Sequence, residues 1–175
     1  MNIKEKLVDS SRIIGDMVAE YVGENKDRFY EIVKLTLYEE KPMASRAGRV
    51  LDLCTEKYPY LILPHLDEIF KHIKEGKILH RSILKVFAEE DITLDEEKDG
   101  LLLDSCIEWL LMSGQEVAVQ IFCMSILLKF GKKEPELINE IIEVIENILP
   151  EGSAGVKNRG IRTIKELQKI KSNIS

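Results

Sequence analysis

Apolar residues recur along this chain at intervals of three and four, and short clusters of proline, glycine and polar residues interrupt the recurrence. Leu137, Ile138, Ile141, Ile142, Ile145, Ile148 and Leu149 form one stripe, with Glu136, Asn139, Glu140, Glu143 and Asn147 mostly opposite. Ala47, Val50, Leu51, Cys54 and Tyr58 form a second, and Leu79, Ile83, Val86 and Phe87 a third. This spacing is that of a helix burying one face. No alternating β-branched run bounded by a tight turn appears, so no strand is predicted.

The pattern predicts nine helices, near residues 4–22, 24–40, 43–57, 61–74, 78–90, 95–112, 115–130, 135–149 and 155–171. Thr93 with Glu96, and Ser113 with Glu116, fit the capping box, in which each side chain satisfies a free N–H of the first turn. Pro135 suits a helix start, because its missing N–H has no intrahelical acceptor there. Pro42, Pro59 and Pro150, with Gly23, Gly76, Gly131 and Gly152, are read as turns. Residues 117–130 are apolar on nearly every face and are expected to be buried all round. The terminal stretches 1–22 and 155–175 are expected to be polar outside.

The helices repeat. Arg46-Ala47-Gly48-Arg49-Val50-Leu51 aligns with Arg81-Ser82-Ile83-Leu84-Lys85-Val86 and then with Val117-Ala118-Val119-Gln120-Ile121-Phe122. The small residue falls at Ala47, Ser82 and Ala118, with steps of 35 and 36 residues. A fourth copy, Arg159-Gly160-Ile161-Arg162-Thr163-Ile164, follows after 42. One amphipathic helix lies between copies, so the unit is helix–turn–helix, and that period predicts an α-solenoid.

Ser45-Arg46-Ala47-Gly48-Arg49-Val50-Leu51, with its partner Tyr58-Pro59-Tyr60-Leu61-Ile62-Leu63-Pro64-His65-Leu66, resembles the HEAT-like branch of the armadillo superfamily from about residue 24 to 171. The resemblance implies an all-α superhelix of roughly four hairpins plus an N-terminal capping helix, one domain over 1–175. It names an architecture that hosts many functions. The long third turn (residues 89–99) and the longer last step depart from a regular array.

Composition narrows the function classes. The chain has 175 residues, 45% hydrophobic and 32% charged, the balance of a folded globule. A net charge of −6 argues against a general nucleic-acid coat. The opening Met1-Asn2-Ile3-Lys4-Glu5-Lys6 has no apolar h-region behind it, and the longest apolar run is too short to cross a bilayer. Cys54, Cys106 and Cys123 each lie in an apolar helical pattern and read as buried thiols of a reducing cytosol. A cytoplasmic protein is expected.

The most suggestive constellation is a column of cations at equivalent repeat positions: Arg46 and Arg49, Arg81 and Lys85, Arg159 and Arg162. Spacing of three or four puts each pair on one helix face. In proteins of similar architecture the second helices line the concave surface. Two readings stand, an anion-reading groove for acidic peptide or phosphate, and a ladder in which each cation pairs with a carboxylate of the next repeat.

Other constellations point to ordinary structure. Asp95-Glu96-Glu97-Lys98-Asp99-Gly100 resembles half of a calcium loop, but Cys106 stands where the bidentate glutamate belongs, and the stretch also reads as a capped helix start. His65, His72 and His80 never fall at metal-ligand spacing on one helix. No hydrolase elbow, metalloprotease motif or phosphate loop is present, so no catalytic residue, metal or cofactor is assigned. Residues 152–157 could present N–H groups to an anion, or simply turn.

The expected function is a non-enzymatic scaffold for a protein or peptide, with partner identity and oligomeric state left open. The alternative is a nucleic-acid binder, for which helical-repeat glycosylases of alkylated bases offer a likeness. Asp104 and Trp109 are the one pair that could be cast in their roles. Trp109 also reads as core, with Leu102, Cys106 and Leu110.

Overall fold

The computed structural model describes residues 2–175, leaving Met1 of the charged opening outside the described residues. Those residues form α1 (Ile3–Lys6), α2 (Arg12–Val22), α3 (Lys26–Tyr38), α4 (Met43–Lys57), α5 (Leu66–Lys74), α6 (Arg81–Glu89), α7 (Glu96–Leu111), α8 (Val117–Lys133), α9 (Ile138–Ile148) and α10 (Ala154–Ile174). Short 3-10 segments, Pro59–His65 and Pro135–Leu137, lead into α5 and α9. No strand occurs among the described residues, and the fold is all-α as expected. The chain divides into two compact units, Met1–Ile92 and Thr93–Ser175.

In the first unit, the helix predicted over 4–22 is two helices. The Ser11 N–H donates to Asp9 Oδ1 at 2.7 Å, and the Ile14 N–H donates to Ser11 Oγ at 3.3 Å. Residues 7–11 thus satisfy local backbone groups outside a helix, and Ser11 caps α2. Gly23, at φ +50°, turns the chain out of α2. The predicted 61–74 helix opens as a 3-10 segment because Pro59 and Pro64 donate no N–H. Helix α4 packs against α2, α3 and α6, with Ala47, Val50 and Leu51 fully buried. All five tyrosines lie here. Tyr30 stacks on His65 at 4.9 Å, Tyr38 meets His72 edge-on, Tyr58 meets Tyr60, and Tyr21 lies under Lys6 and Arg28.

In the second unit, α8 packs between α7 and α10, and α9 packs against α7 and α10. Leu102, Cys106, Trp109, Cys123, Leu127 and Leu167 form its core, so the core reading of Trp109 holds. The expected capping boxes do not form. Asp95, not Thr93, caps α7 by accepting from the Lys98 N–H, and Ser113 caps nothing because α8 starts at Val117 without a side-chain cap. The 95–100 stretch is therefore a capped helix start, with Glu96, Glu97 and Asp99 at the positive end of α7. Gly131 is not a turn. It lies buried inside α8, where a Cβ would stand 2.5 Å from Leu167 Cδ2.

The three cysteines are buried free thiols, as expected. Burial pushes the Cys54 thiol up to about 11 and the Cys106 thiol well above its ordinary value. Two surface expectations fail. Helix α2 turns Ile13 (71% exposed) and Met17 (60%) to solvent, and α8 leaves Val117 44% exposed at its start. In each case the helix has more apolar positions than its packed face can cover.

Candidate functional site

Three of the six cations converge. Arg46 and Arg49 come from the first half of α4 and Arg81 from the first residue of α6. Their helices pack directly, because Gly48 lets the start of α6 close on α4; a Cβ there would stand 2.4 Å from His80 Cε1 and 2.9 Å from Ser82 Oγ. The three arginines line an open cleft of about 200 Å³, which is also bordered by Leu7, Asp9, Ser10 and Ser11 and by Gly15 in the first turn of α2. Gly15 performs a similar service, since a Cβ there would lie 3.2 Å from Arg49 Nε.

Each cation has its own surroundings. Arg46 is half-buried; its Nη1 donates to the Leu7 carbonyl at 2.9 Å, while its buried Nε has no hydrogen-bond partner. Arg49 and Arg81 are exposed, and neither makes a side-chain hydrogen bond or ion pair among the described residues. Lys85, one turn along α6, forms an ion pair with Glu56 of α4 at 2.9 Å, and this bond raises the lysine's affinity for its proton. In the second unit, Arg159 donates to Ser125 Oγ at 2.8 Å, and Arg162 is exposed.

The column thus splits. Lys85 with Glu56 is a rung of the ladder kind, between neighbouring repeats. Arg46 and Arg159 bond to a carbonyl and a hydroxyl rather than to carboxylates. Arg49 and Arg81 line the cleft without a hydrogen bond or ion pair, although Arg81 lies close enough to act on the Asp52 carboxylate.

Two carboxylates and three hydroxyls complete the lining. Hydrogen bonds from Ser11, side chain first and then backbone, hold the Asp9 carboxyl below its usual range, with Arg46 adding a small pull. Asp52 behaves oppositely. Burial pushes its carboxyl up, against the opposing pulls of Lys85, Ser82 and Arg81. Asp52 Oδ2 accepts from Ser82 Oγ at 3.2 Å, and its buried Oδ1 has no partner. Ser10, Ser11 and Ser45 supply the hydroxyls.

Sequence reasoning missed Asp9, Gly15 and Asp52. Asp9-Ser10-Ser11 ahead of Arg12 is a helix-cap signature that would have broken the 4–22 helix and placed a loop beside the column. Asp52, three residues after Arg49, shares the face of the arginines.

The remaining candidates do not assemble. Asp104 is exposed while Trp109 is buried, so the pair shares no face of α7. Residues 152–157 are a helix start in which Ser153 caps α10 through the Val156 N–H. Among the described residues no group of three or more potential metal-ligating side chains occurs, and no helix is long and apolar enough to cross a membrane.

Comparison with curated proteins and with solved structures returns no match. The HEAT repeat domain family matches residues 5–167. That match spans α2 to α9 entire and most of α10, in agreement with the hairpins and the recurring small residues. The chain belongs to the HEAT repeat domain family.

Proposed function

We propose that the protein is a non-catalytic, cytoplasmic scaffold that holds an acidic segment of a partner protein in the arginine cleft of its first unit. The observation that supports this most is the convergence of Arg46, Arg49 and Arg81 on one cleft, two of them without a hydrogen bond or ion pair. An unpaired guanidinium offers a planar fork of donors suited to an oxyanion. Repeat proteins of this kind present extended surfaces to other chains, and the family match supports that use. Nucleic acid suits the cleft less well, because Asp9 and Asp52 would face a continuous phosphate backbone.

Affinity capture from native lysate with the wild type and an Arg49→Ala/Arg81→Ala double variant tests the reading. A partner held by the wild type, released by moderate salt and absent from the variant is the expected result. Identical partner sets for the two proteins would remove the cleft from the function.

A further inference from the structure

The arginine cleft is one end of a longer groove. Helices α2 and α4 lie side by side and run in the same direction. A Cβ at Gly15 would stand 3.2 Å from Arg49 Nε, and one turn further on the Cys54 thiol donates to the Ala19 carbonyl at 3.9 Å. Gly15, Ala19 and Gly23 follow at four-residue intervals along α2 and its C-cap, and Arg49, Leu53 and Lys57 do the same along α4. Each row therefore keeps to one helix face. The α2 row has no side chain larger than a methyl group, which leaves a furrow between the helices. Between their last turns the furrow holds a second cavity of about 410 Å³, with Ala19, Leu53 and Cys54 as apolar lining and Asp16, Glu20 and Lys57 as its charges.

The two ends differ in polarity, and two independent sources agree on the sign. Side chains are the first. Three arginines against two aspartates leave one positive charge on the lining of the arginine cleft, whereas two carboxylates against one lysine leave one negative charge on that of the second cavity. The backbone is the second source. Because α2 and α4 are parallel, both N-termini lie at the arginine end, as does that of α6. Both C-termini lie at the other end, where the C-cap residues Gly23 and Tyr58 line the cavity. The helix dipoles thus favour an anion at the first end and a cation at the second. Glu20 is exposed and makes no hydrogen bond or ion pair among the described residues. Asp16 has a surface pair with Arg12 at 3.5 Å, and the Arg12 side chain is 85% exposed, a contact that a second cation can share.

Spacing sets the length of the occupant. On both helices the lining of the second cavity lies about seven positions beyond that of the first, or about 10 Å at about 1.5 Å per residue. A polyproline-type strand covers about 9 Å in three residues and returns to the same face.

We infer that the groove takes an extended segment of the partner protein in which an acidic side chain and a lysine or arginine stand three residues apart, the acid at the arginine end and the base at the end that carries Asp16 and Glu20. The aliphatic stem of the base lies along Ala19 and Leu53, and its charged head reaches the two carboxylates. The inference rests on the acidic-segment reading above and adds a second, opposite charge to that segment.

The test titrates the full-length protein with capped peptides by calorimetry. Gly-Asp-Pro-Pro-Lys-Gly and Gly-Lys-Pro-Pro-Asp-Gly present both chain directions, with the prolines holding the extended form. The tighter of the two is compared with its Asp-to-Asn and Lys-to-Gln versions and with Gly-Pro-Asp-Lys-Pro-Gly, which brings the charges together. The bipolar peptide should bind about fivefold more tightly than each of these. The Gly15 amide resonance should shift with every peptide that carries the acid at the spaced position, and that of Gly23 only when the lysine is present. Glu20→Gln removes no contact within the protein and should weaken the bipolar peptide about fivefold while leaving the Lys-to-Gln peptide unchanged. The Arg49→Ala/Arg81→Ala double variant should weaken both.

Equal binding of the Lys-to-Gln peptide, with the arginine dependence kept, would overturn the bipolar inference and leave the acidic-segment reading standing. Equal binding of the peptide with adjacent charges would also overturn it, because the two ends would then not be read separately. If the arginine double variant changes no affinity, or no peptide shifts Gly15 at millimolar concentration, both readings of the groove fall.

Discussion

A glycine in each unit marks a close helix approach, but the two meet different chemistry. Gly48 of α4 faces the imidazole of His80 and the hydroxyl of Ser82, and Asp52 bonds to the same hydroxyl. Gly160 of α10 faces Leu149 and Ile145, with Cβ distances of 2.4 and 3.1 Å. The first approach is a polar seam that opens into a cleft, whereas the second is sealed by hydrocarbon. The cations do not divide between the units. Each has a bonded arginine, Arg46 to the Leu7 carbonyl and Arg159 to Ser125 Oγ, and exposed ones without a hydrogen bond or ion pair, Arg49 and Arg81 in the first and Arg162 in the second. One repeat register can therefore form a polar, cleft-lining seam in one hairpin and an apolar, sealed contact in another, according to what stands opposite the small residue.

The sharpest stress on this comparison is overpacking at the small positions. Ala47 is fully buried, so Ala47→Leu should destabilise by about 1–3 kcal/mol. Ala118 is half-buried, and Ala118→Leu should cost less, under about 1 kcal/mol. Urea titrations of the two variants give both values, and equal costs would mean that the small residues are not used differently.

A gentler probe adds one methyl group to each glycine. At Gly48 it strikes a ring that also caps α6, where His80 Nδ1 accepts from the Ser82 N–H at 3.2 Å. Gly48→Ala should cost about 1–2 kcal/mol net of the helix-propensity gain. At Gly160 the nearest atom is the end of a leucine that can swing away, so Gly160→Ala should stay within about 0.5 kcal/mol of the wild type. Thermal melts that rank the two in the opposite order would break the polar-against-apolar contrast.

Removing cations separates roles within the column. Arg46→Ala and Arg159→Ala each lose a hydrogen bond and should cost about 1 kcal/mol. Arg49→Ala and Arg81→Ala lose none and should fall within about 0.5 kcal/mol. A large loss at Arg81 in the same urea titrations would show that it braces Asp52 rather than waiting for a ligand.

The smallest expected effect is a response to acid confined to the first unit, which holds all three histidines. Burial lowers the proton affinity of His65 and His72 below the ordinary 6.5, and Lys77 adds to this at His72. Below pH 6.5 the unfolded chain takes up protons that the folded unit refuses. The stabilisation is thus complete above that pH and is lost as pH falls toward the folded values. Amide exchange, corrected for intrinsic rates, should quicken in the first unit between about pH 7 and 5.5 by this route, but not in the second.

The architecture was legible because it depends on period and punctuation. Helical spacing, the small residue at Ala47, Ser82 and Gly160, and the Arg-rich copies carry it, and no distant contact is needed to see them. Boundaries failed where short-range chemistry competed with the pattern. Asp9 and Ser11 drew backbone bonds out of the 4–22 helix, and Gly131 looked like a turn only because its partner Leu167 lies 36 residues away. The site was legible by half. The arginines share a repeat phase, but Asp52 is one acid among many until Ser82 and the arginines surround it.

The aromatic residues divide along the same line as the units, and spectroscopy can exploit this. The single tryptophan, Trp109, is buried in the second unit, and every tyrosine belongs to the first. Tryptophan fluorescence therefore follows one unit, and tyrosine absorbance near 280 nm, seen as a difference signal, follows mainly the other. A single unlabelled sample thus carries two local reporters. Superimposable denaturation curves from the two would indicate that residues 1–175 unfold as one cooperative domain, and displaced curves would make each unit its own folding entity.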